Sequence, residues 1–271
     1  MKIIDFHTHP FVHDSENVCF YKNTVLDPED FKARMQDFGI EKICGSVIER
    51  MDEADFATVR RLNDSALELR EKWGDFYEPG VHIHPYFLKS SLEELERCRK
   101  EGVRMVGELV PYFMDWEMYY NDAMHEIYSC IQDLGYSCVS IHTMQEESME
   151  EAVKNFPKIN FIAAHPNDKQ CFIRHLERME KYPNYYLDLS GTGIFRYGLI
   201  KYGVSRVGSE RFLFGSDFPI CNAGMYITAV KNEEISRTDR KNIVHRNAEH
   251  LLYGVEYKSK KRKKDGKDEN K

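Results

Sequence analysis

The chain has 271 residues, of which 42% are hydrophobic and 31% are charged, and its formal net charge is −7. No apolar stretch approaches the ~20 residues that span a bilayer, and the apolar run in residues 1–7 is too short for a signal peptide. We therefore expect neither membrane insertion nor secretion, and the acidic balance disfavours broad contact with nucleic acid.

Eight short apolar runs predict β-strands along the chain. They cover residues 2–6, 42–48, 76–83, 105–110, 137–141, 160–164, 185–189 and 211–215. Helical patterns fill the gaps between them, at residues 28–39, 56–69, 92–98, 124–134, 146–155, 168–181, 193–207 and 222–231. A last helix is expected at residues 235–252, packed outside the sheet.

The alternation of eight strands with eight helices predicts a single (β/α)8 TIM barrel, which we assign to residues 1–257. No Gly-rich or Pro-rich linker divides this stretch. The alternative fold is an open doubly wound sheet, but no G-x-G-x-x-G motif follows the first strand. The remaining residues, 258–271, hold eight Lys/Arg against three Asp/Glu and should form a basic, disordered tail. Such a tail is either a solvated end or an arm for polyanions.

The chain contains seven cysteines and no C-x-x-C pair. In a chain of this length, scattered cysteines are typical of free thiols in a reducing compartment, so we predict a cytoplasmic protein. Zinc-ribbon spacing is absent, so a metal site would have to use histidines and carboxylates.

Polar residues that bind metals end five of the eight predicted strands. On a strand, residues i and i+2 point to the same side, so the two imidazoles of the first strand project together. The carboxyl ends of all barrel strands meet at one rim, where active sites of this fold lie. The predicted metal ligands are His7, His9, Glu108, His142, His165 and Asp217.

Imidazoles and carboxylates together are typical ligands of Zn²⁺, Mn²⁺ and Fe²⁺. We expect one or two divalent ions per chain and take Zn²⁺ as the first choice. A metal held by His7, His9, His142 and Asp217 would lower the pKa of a bound water toward ~7. Asp217 is then the expected general base, and His165 is either a second-metal ligand or a hydrogen-bond donor to a developing oxyanion.

The motifs His7-x-His9, His142, His165 and Gly215-Ser216-Asp217-Phe218-Pro219 resemble the amidohydrolase superfamily. The last of these, with residues 246–252, resembles its amidohydrolase-related branch, which includes decarboxylases such as aminocarboxymuconate-semialdehyde decarboxylase. The resemblance spans residues 1–255 and implies a metal-dependent (β/α)8 enzyme.

Glu108 departs from many binuclear members of this superfamily, which carry a carboxylated lysine on the fourth strand. A glutamate in this context also resembles the TatD-like deoxyribonucleases, which bind two metals. Glu108 is thus either a bridge between two metals or a residue that orients a ligand histidine. Resemblance to mononuclear decarboxylases implies a catalytic His165, whereas resemblance to binuclear hydrolases implies a ligand.

Loops after the strands supply candidate substrate-binding residues. They are Arg50, His84, Tyr112, Asn167 and Arg196. An arginine there suits a carboxylate or phosphate group. His84 belongs to a second H-x-H motif with His82, which either lines the pocket or forms a polar strand end. The expected partner is a small molecule; the oligomeric state has no signature in the sequence.

Four functions remain open at this point. The first is hydrolysis of a small-molecule amide, ester or lactone by a metal-activated water. The second is non-oxidative decarboxylation within the same branch. A TatD-like binuclear nuclease and a barrel without activity are the others. The sequence favours the hydrolase, with the decarboxylase as its alternative.

Overall fold

The computed structural model describes residues 1–21, 24–25 and 27–257. The basic segment 258–271, for which the sequence predicts disorder, lies outside the described residues. Within them, no helix is both long enough and apolar enough to cross a membrane.

Eight parallel strands form one sheet in the order β1 to β8. Their bounds are β1 Ile4–Thr8, β2 Lys42–Ser46, β3 Tyr77–Val81, β4 Met105–Leu109, β5 Cys138–His142, β6 Phe161–Ala164, β7 Tyr185–Asp188 and β8 Phe212–Leu213. Hydrogen bonds from Phe6 N to Phe214 O (2.8 Å) and from Asp217 N to His7 O (2.8 Å) join the last strand region to the first. The sheet therefore closes into the predicted (β/α)8 barrel.

Helices connect the strands, as parallel pairing requires. Their bounds are α1 Pro28–Asp37, α2 Phe56–Trp73, α3 Leu88–Lys100, α4 Asp122–Asp133, α5 Glu146–Asn155, α6 Lys169–Lys181, α7 Leu199–Val207, α8 Ala223–Asn232, α9 Arg237–Lys241 and α10 Asn247–Tyr253. Side-chain caps fix several starts: Asp55 accepts from Thr58 N, and Asp168 accepts from Cys171 N.

Two predicted helices differ from the structure. The segment 193–207 becomes helical only at Leu199, because Gly193 and Gly198 adopt positive φ angles and residues 193–198 form a loop. The segment 235–252 is divided into α9, a π-helical turn at Asn242–Arg246 and α10. The irregular turn places Ile243 O where it accepts from Phe214 N, which also ends β8 after two residues.

Side chains of alternate strand residues fill the barrel at its amino-terminal end. This cluster contains Ile4, Phe6, Cys44, Met105, Cys138, Ile162 and Leu213, and helix α10 adds Ala248, Leu251 and Leu252. The last helix therefore closes one end of the barrel, which corrects the expectation that it packs outside. Most other buried apolar residues form the layer between strands and surrounding helices. The opposite, carboxyl-terminal end is left for polar residues.

A candidate metal centre at the carboxyl ends of the strands

The six predicted metal ligands converge at the carboxyl-terminal rim. β1 carries His7, and His9 follows it; Glu108 lies in β4, His142 ends β5, and His165 and Asp217 follow β6 and β8. All are buried except His142, which is half-buried. Their convergence is what the register of eight parallel strands predicts.

His7 and His9 each use one ring nitrogen to hold the ring in place. His7 Nδ1 donates to Asp188 Oδ2 at 2.9 Å, and His9 Nδ1 donates to the carbonyl oxygen of Ser46 at 3.0 Å. In the neutral rings, both Nε2 atoms therefore carry lone pairs. These two atoms lie only 3.2 Å apart. When both rings are neutral, neither Nε2 has a proton to donate to the other.

Two carboxylate oxygens complete the same group. Glu108 Oε2 lies 3.4 Å from His7 Nε2 and 3.5 Å from His9 Nε2. Asp217 Oδ1 lies 3.6 Å and 3.4 Å from the same two nitrogens. Four ligand atoms each about 2.1 Å from a tetrahedral ion stand about 3.4 Å from one another. The separations of each oxygen from the two nitrogens thus match those around a shared divalent cation, whose positive charge would stabilise the converging lone pairs.

Glu108 presents its other oxygen to a different pair of residues. Glu108 Oε1 is 2.9 Å from His142 Nδ1 and 3.8 Å from His165 Nε2. Atoms of His7, Glu108 and His165 also lie close enough together to hold a metal ion. His142 was expected to bind the first ion with His7, His9 and Asp217; its Nδ1 lies against Glu108 Oε1, and neither candidate metal-binding group among the described residues includes it.

The charges of the site are strongly coupled. Burial opposes protonation of His7, but attraction to Glu108 and Asp188 prevails and holds the pKa of His7 well above its usual range. Burial likewise opposes ionisation of Glu108, yet His7 and His142 hold its pKa well below the usual range. The site thus favours positive charge between its carboxylates, which a proton on His7 or a bound cation supplies.

Two buried residues of the seventh strand region support the histidines. Asp188 accepts from His7, and Ser190 Oγ lies 3.0 Å from His165 Nδ1. Their position near the end of the predicted seventh strand offers two interpretations from sequence, support of the site or a solvated strand end. Ser46 was missed altogether, because a backbone carbonyl holds His9 and carbonyls have no residue-specific signal.

The predicted substrate residues divide into three kinds. His84 is fully buried, and both ring nitrogens bond to backbone groups: Nε2 donates to Met114 O at 2.8 Å, and Nδ1 accepts from Tyr86 N at 3.2 Å. It has no polar ring atom left for a substrate, which corrects its assignment. Arg196 donates to Asn167 O at 2.9 Å, so these two residues tie neighbouring loops together.

Arg50 and Tyr112 remain available at the mouth of the site. The ring of Tyr112 lies 5.5 Å from that of His142, and 51% of the Tyr112 residue is exposed. Burial of part of the side chain, followed by the charges of Glu108 and Asp217, raises the pKa of Tyr112. Arg50 is exposed and forms no hydrogen bond or ion pair with any residue that the structure describes.

The chain is similar to known proteins in sequence and in fold. The profile of the family described as amidohydrolase matches residues 4–253. A search of curated protein sequences found no match. The resemblance to TatD-like nucleases is not shown by these comparisons.

Three solved structures illustrate the similarity of fold. 2,6-Dihydroxybenzoate decarboxylase from Rhizobium has a TM-score of 0.70 at 16% identity, covering 93% of this chain and 98% of that one. Dihydroxybenzoic acid decarboxylase from Polaromonas sp. JS666, with bound manganese and the inhibitor 2-nitroresorcinol, has a TM-score of 0.64 at 18% identity over 93% and 96%. A protein described as amidohydrolase II has a TM-score of 0.71 at 16% identity over 93% and 99%.

Proposed function

Since the chain belongs to the amidohydrolase family, we propose that it is a metal-dependent decarboxylase of a small, hydroxylated aromatic carboxylic acid. The observation that carries the proposal is the group of four converging ligand atoms from His7, His9, Glu108 and Asp217. Two decarboxylases of the same fold, one of them with manganese, support this reaction over the hydrolysis that the sequence favoured.

The metal would be Mn²⁺ or Zn²⁺. Two imidazoles and two carboxylates suit either ion. When bound, the ion would polarise an oxygen of the substrate and stabilise negative charge on it. Arg50 at the mouth of the site would attract the substrate carboxylate, and the exposed face of Tyr112 would pack against an aromatic ring.

Decarboxylation breaks the bond between the carboxyl carbon and the ring, and the bonding electrons stay on the ring carbon. That carbon must then gain a proton. Asp217 uses Oδ1 toward the two histidines, so Oδ2 would deliver a proton to the ring carbon as CO₂ leaves, and Asp217 would regain a proton from solvent after product release. His7, His9 and Asp217 are buried. Bulk water is therefore kept from the ring carbon, which takes its proton from Asp217 and not from solvent.

A binuclear hydrolase is the second candidate, and one observation favours it. The two oxygens of Glu108 face different groups, Oε2 toward His7 and His9 and Oε1 toward His142 and His165. A carboxylate that bridges two ions needs this arrangement. Asp217 would then take a proton from the attacking water and return it to the leaving amine or alcohol as the acyl bond breaks.

Metal content and product analysis together separate the two candidates. We would measure metal per chain for the wild type, Glu108→Gln and Glu78→Gln, together with release of CO₂ from 2,6-dihydroxybenzoate and related acids. Glu78 is a matched control, because it is a buried carboxylate on β3 that contacts Arg104 and Tyr253.

For a decarboxylase we expect one metal per chain in the wild type, CO₂ release, and weakened metal binding in Glu108→Gln alone. Two metals in the wild type, loss of one of them in Glu108→Gln, and turnover of esters or lactones instead of acids would favour the hydrolase. Absence of bound metal after reconstitution would contradict both.

A further inference from the structure

We propose that Ser190, together with Gly191, is a positioning device that fixes the tautomer and the ring orientation of His165. The inference rests on the proposed function in one respect, namely that His165 acts beside the metal centre. The geometry behind it involves a short segment after β7 that wraps around the His165 ring.

Asp188 provides the fixed end of this arrangement. Its Oδ2 accepts from His7 Nδ1 at 2.9 Å, and its Oδ1 accepts from Ser190 N at 2.9 Å and from His165 N at 3.4 Å. Both oxygens of Asp188 thus face N–H groups, Oδ2 that of the His7 ring and Oδ1 two of the backbone. Asp188 is therefore a carboxylate that only accepts hydrogen bonds.

These contacts define the direction in which the Ser190 hydroxyl donates its proton. Ser190 Oγ is in contact with Asp188 Oδ1 and must donate to it, because a carboxylate has no proton to give. A hydroxyl has one proton, so toward His165 Ser190 Oγ can only accept. It lies 3.0 Å from His165 Nδ1, which must then carry the proton.

The opposite ring nitrogen of His165 is thereby defined. A neutral imidazole with its proton on Nδ1 has a lone pair on Nε2, and the His165 ring is buried. His165 Nε2 lies 3.8 Å from Glu108 Oε1, on the side of the metal centre. The resting ring thus presents a lone pair, suited to bind a metal or accept a proton, rather than a proton for an oxyanion.

Gly191 leaves the space that the Nδ1 edge of the His165 ring occupies. A Cβ atom at this position would lie 2.2 Å from His165 Nδ1, which no side chain can occupy, and Gly191 has a φ of +56°. Its carbonyl oxygen accepts from the hydroxyl of Tyr226, which anchors the backbone. Ser190 therefore sets the proton, and Gly191 leaves the space in which the ring lies.

Nuclear magnetic resonance of histidine side chains tests the proposal without relying on activity. The zinc-loaded protein would be labelled with nitrogen-15 histidine, and the signals of His165 would be identified by their loss in His165→Gln. We expect the Nδ1–H form in the wild type and a shift toward the Nε2–H form in Ser190→Ala. Gly191→Ala should change the chemical shifts of the His165 ring, because a Cβ atom at residue 191 would displace the ring.

Ser91→Ala is the matched control. Ser91 is also a fully buried serine that bonds to a histidine at this end of the barrel, but it contacts only the backbone of His84. We expect it to leave the His165 signals unchanged. In the same preparations, kcat for decarboxylation should fall roughly 10–100-fold in Ser190→Ala and stay near wild type in Ser91→Ala.

An Nε2–H form of His165 in the wild type, or an unchanged tautomer in Ser190→Ala, would overturn the proposal. Equal losses of kcat in the two serine variants would also overturn it, since they would indicate a general effect on folding. If the wild type turns over no acid at all, the proposed function fails, whereas the tautomer measurement still decides the role of Ser190.

Discussion

The chain contains two H-x-H motifs at strand ends, His7-Thr8-His9 and His82-Ile83-His84, and they have opposite environments. The Nδ1 atoms of the first pair bond to Asp188 and Ser46, which leaves both Nε2 atoms facing Glu108 and Asp217. In the second pair, Nε2 of His82 donates to Val47 O and Nε2 of His84 donates to Met114 O, both at 2.8 Å.

The direction of the pKa shift reflects this difference. Carboxylates raise the pKa of His7 in spite of burial. Burial lowers the pKa of His82 to about 4 and also lowers that of His84, because backbone carbonyls compensate only in part. The motif alone therefore does not make a metal site. The two motifs differ in whether carboxylates or only backbone groups face the Nε2 atoms.

Removal of one ligand imidazole should have the largest effect. We expect His9→Ala to weaken metal binding by more than roughly 100-fold, because even partners of metal ligands contribute 10–100-fold. Decarboxylation should be lost in parallel. Competition with a chelator of known affinity measures the binding, and His84→Ala serves as the control. Equal metal affinities in the two variants would refute the distinction between the motifs.

A smaller effect is expected when only the support of a ligand is changed. Asp188→Asn keeps the shape of the side chain but removes the charge that holds His7. We expect metal affinity to fall roughly 10–100-fold while the fold is retained. The same titration, with circular dichroism as a check on folding, measures it. Wild-type affinity would mean that Asp188 does not orient His7.

The second motif should matter for stability instead. His84→Ala leaves Met114 O and Tyr86 N without their ring partners. An unsatisfied buried group costs about 1–3 kcal/mol, so we expect the free energy of unfolding to fall by about that amount. Denaturant unfolding measures the loss. A variant as stable as the wild type but without bound metal would reverse the roles assigned here.

The pH dependence of stability gives the finest comparison. Because the pKa of His82 is lowered to about 4, unfolded chains bind a proton between pH 6.5 and 4 that folded chains do not. The contribution of neutral His82 to the free energy of unfolding is complete above pH 6.5. Between pH 6.5 and 4 it is lost by about 1.4 kcal/mol for each unit that the pH falls. Metal-free wild type should show a steeper decline than metal-free His82→Gln. Parallel curves would contradict a neutral, buried His82.

Much of the fold was predictable because it depends on patterns that side chains carry. Alternating apolar runs and helical faces gave eight strands, their order and the rim on which His7, His9 and Asp217 meet. The end of β8 was not predictable, since a carbonyl of a π-helical turn takes the hydrogen bond of Phe214. Backbone groups act through position and have no residue-specific signature.

The candidate site was likewise predictable only in part from the sequence. Residue types and strand ends identified the imidazoles and carboxylates, but not which of them share an ion. Glu108 lies with one oxygen toward His7 and His9 and the other toward His142, and this depends on rotamers that sequence does not define. The two H-x-H motifs likewise read alike until Ser46, Val47 and Met114 are seen to supply their carbonyls.

The most direct test of the metal centre is a crystal structure of the manganese-loaded protein with anomalous diffraction measured for the ion. We predict a peak bound by His7, His9, Glu108 and Asp217, with no peak at His82 or His84. A peak bound by His142 in place of Glu108, or one at the second motif, would contradict the account, as would the absence of any peak at the rim.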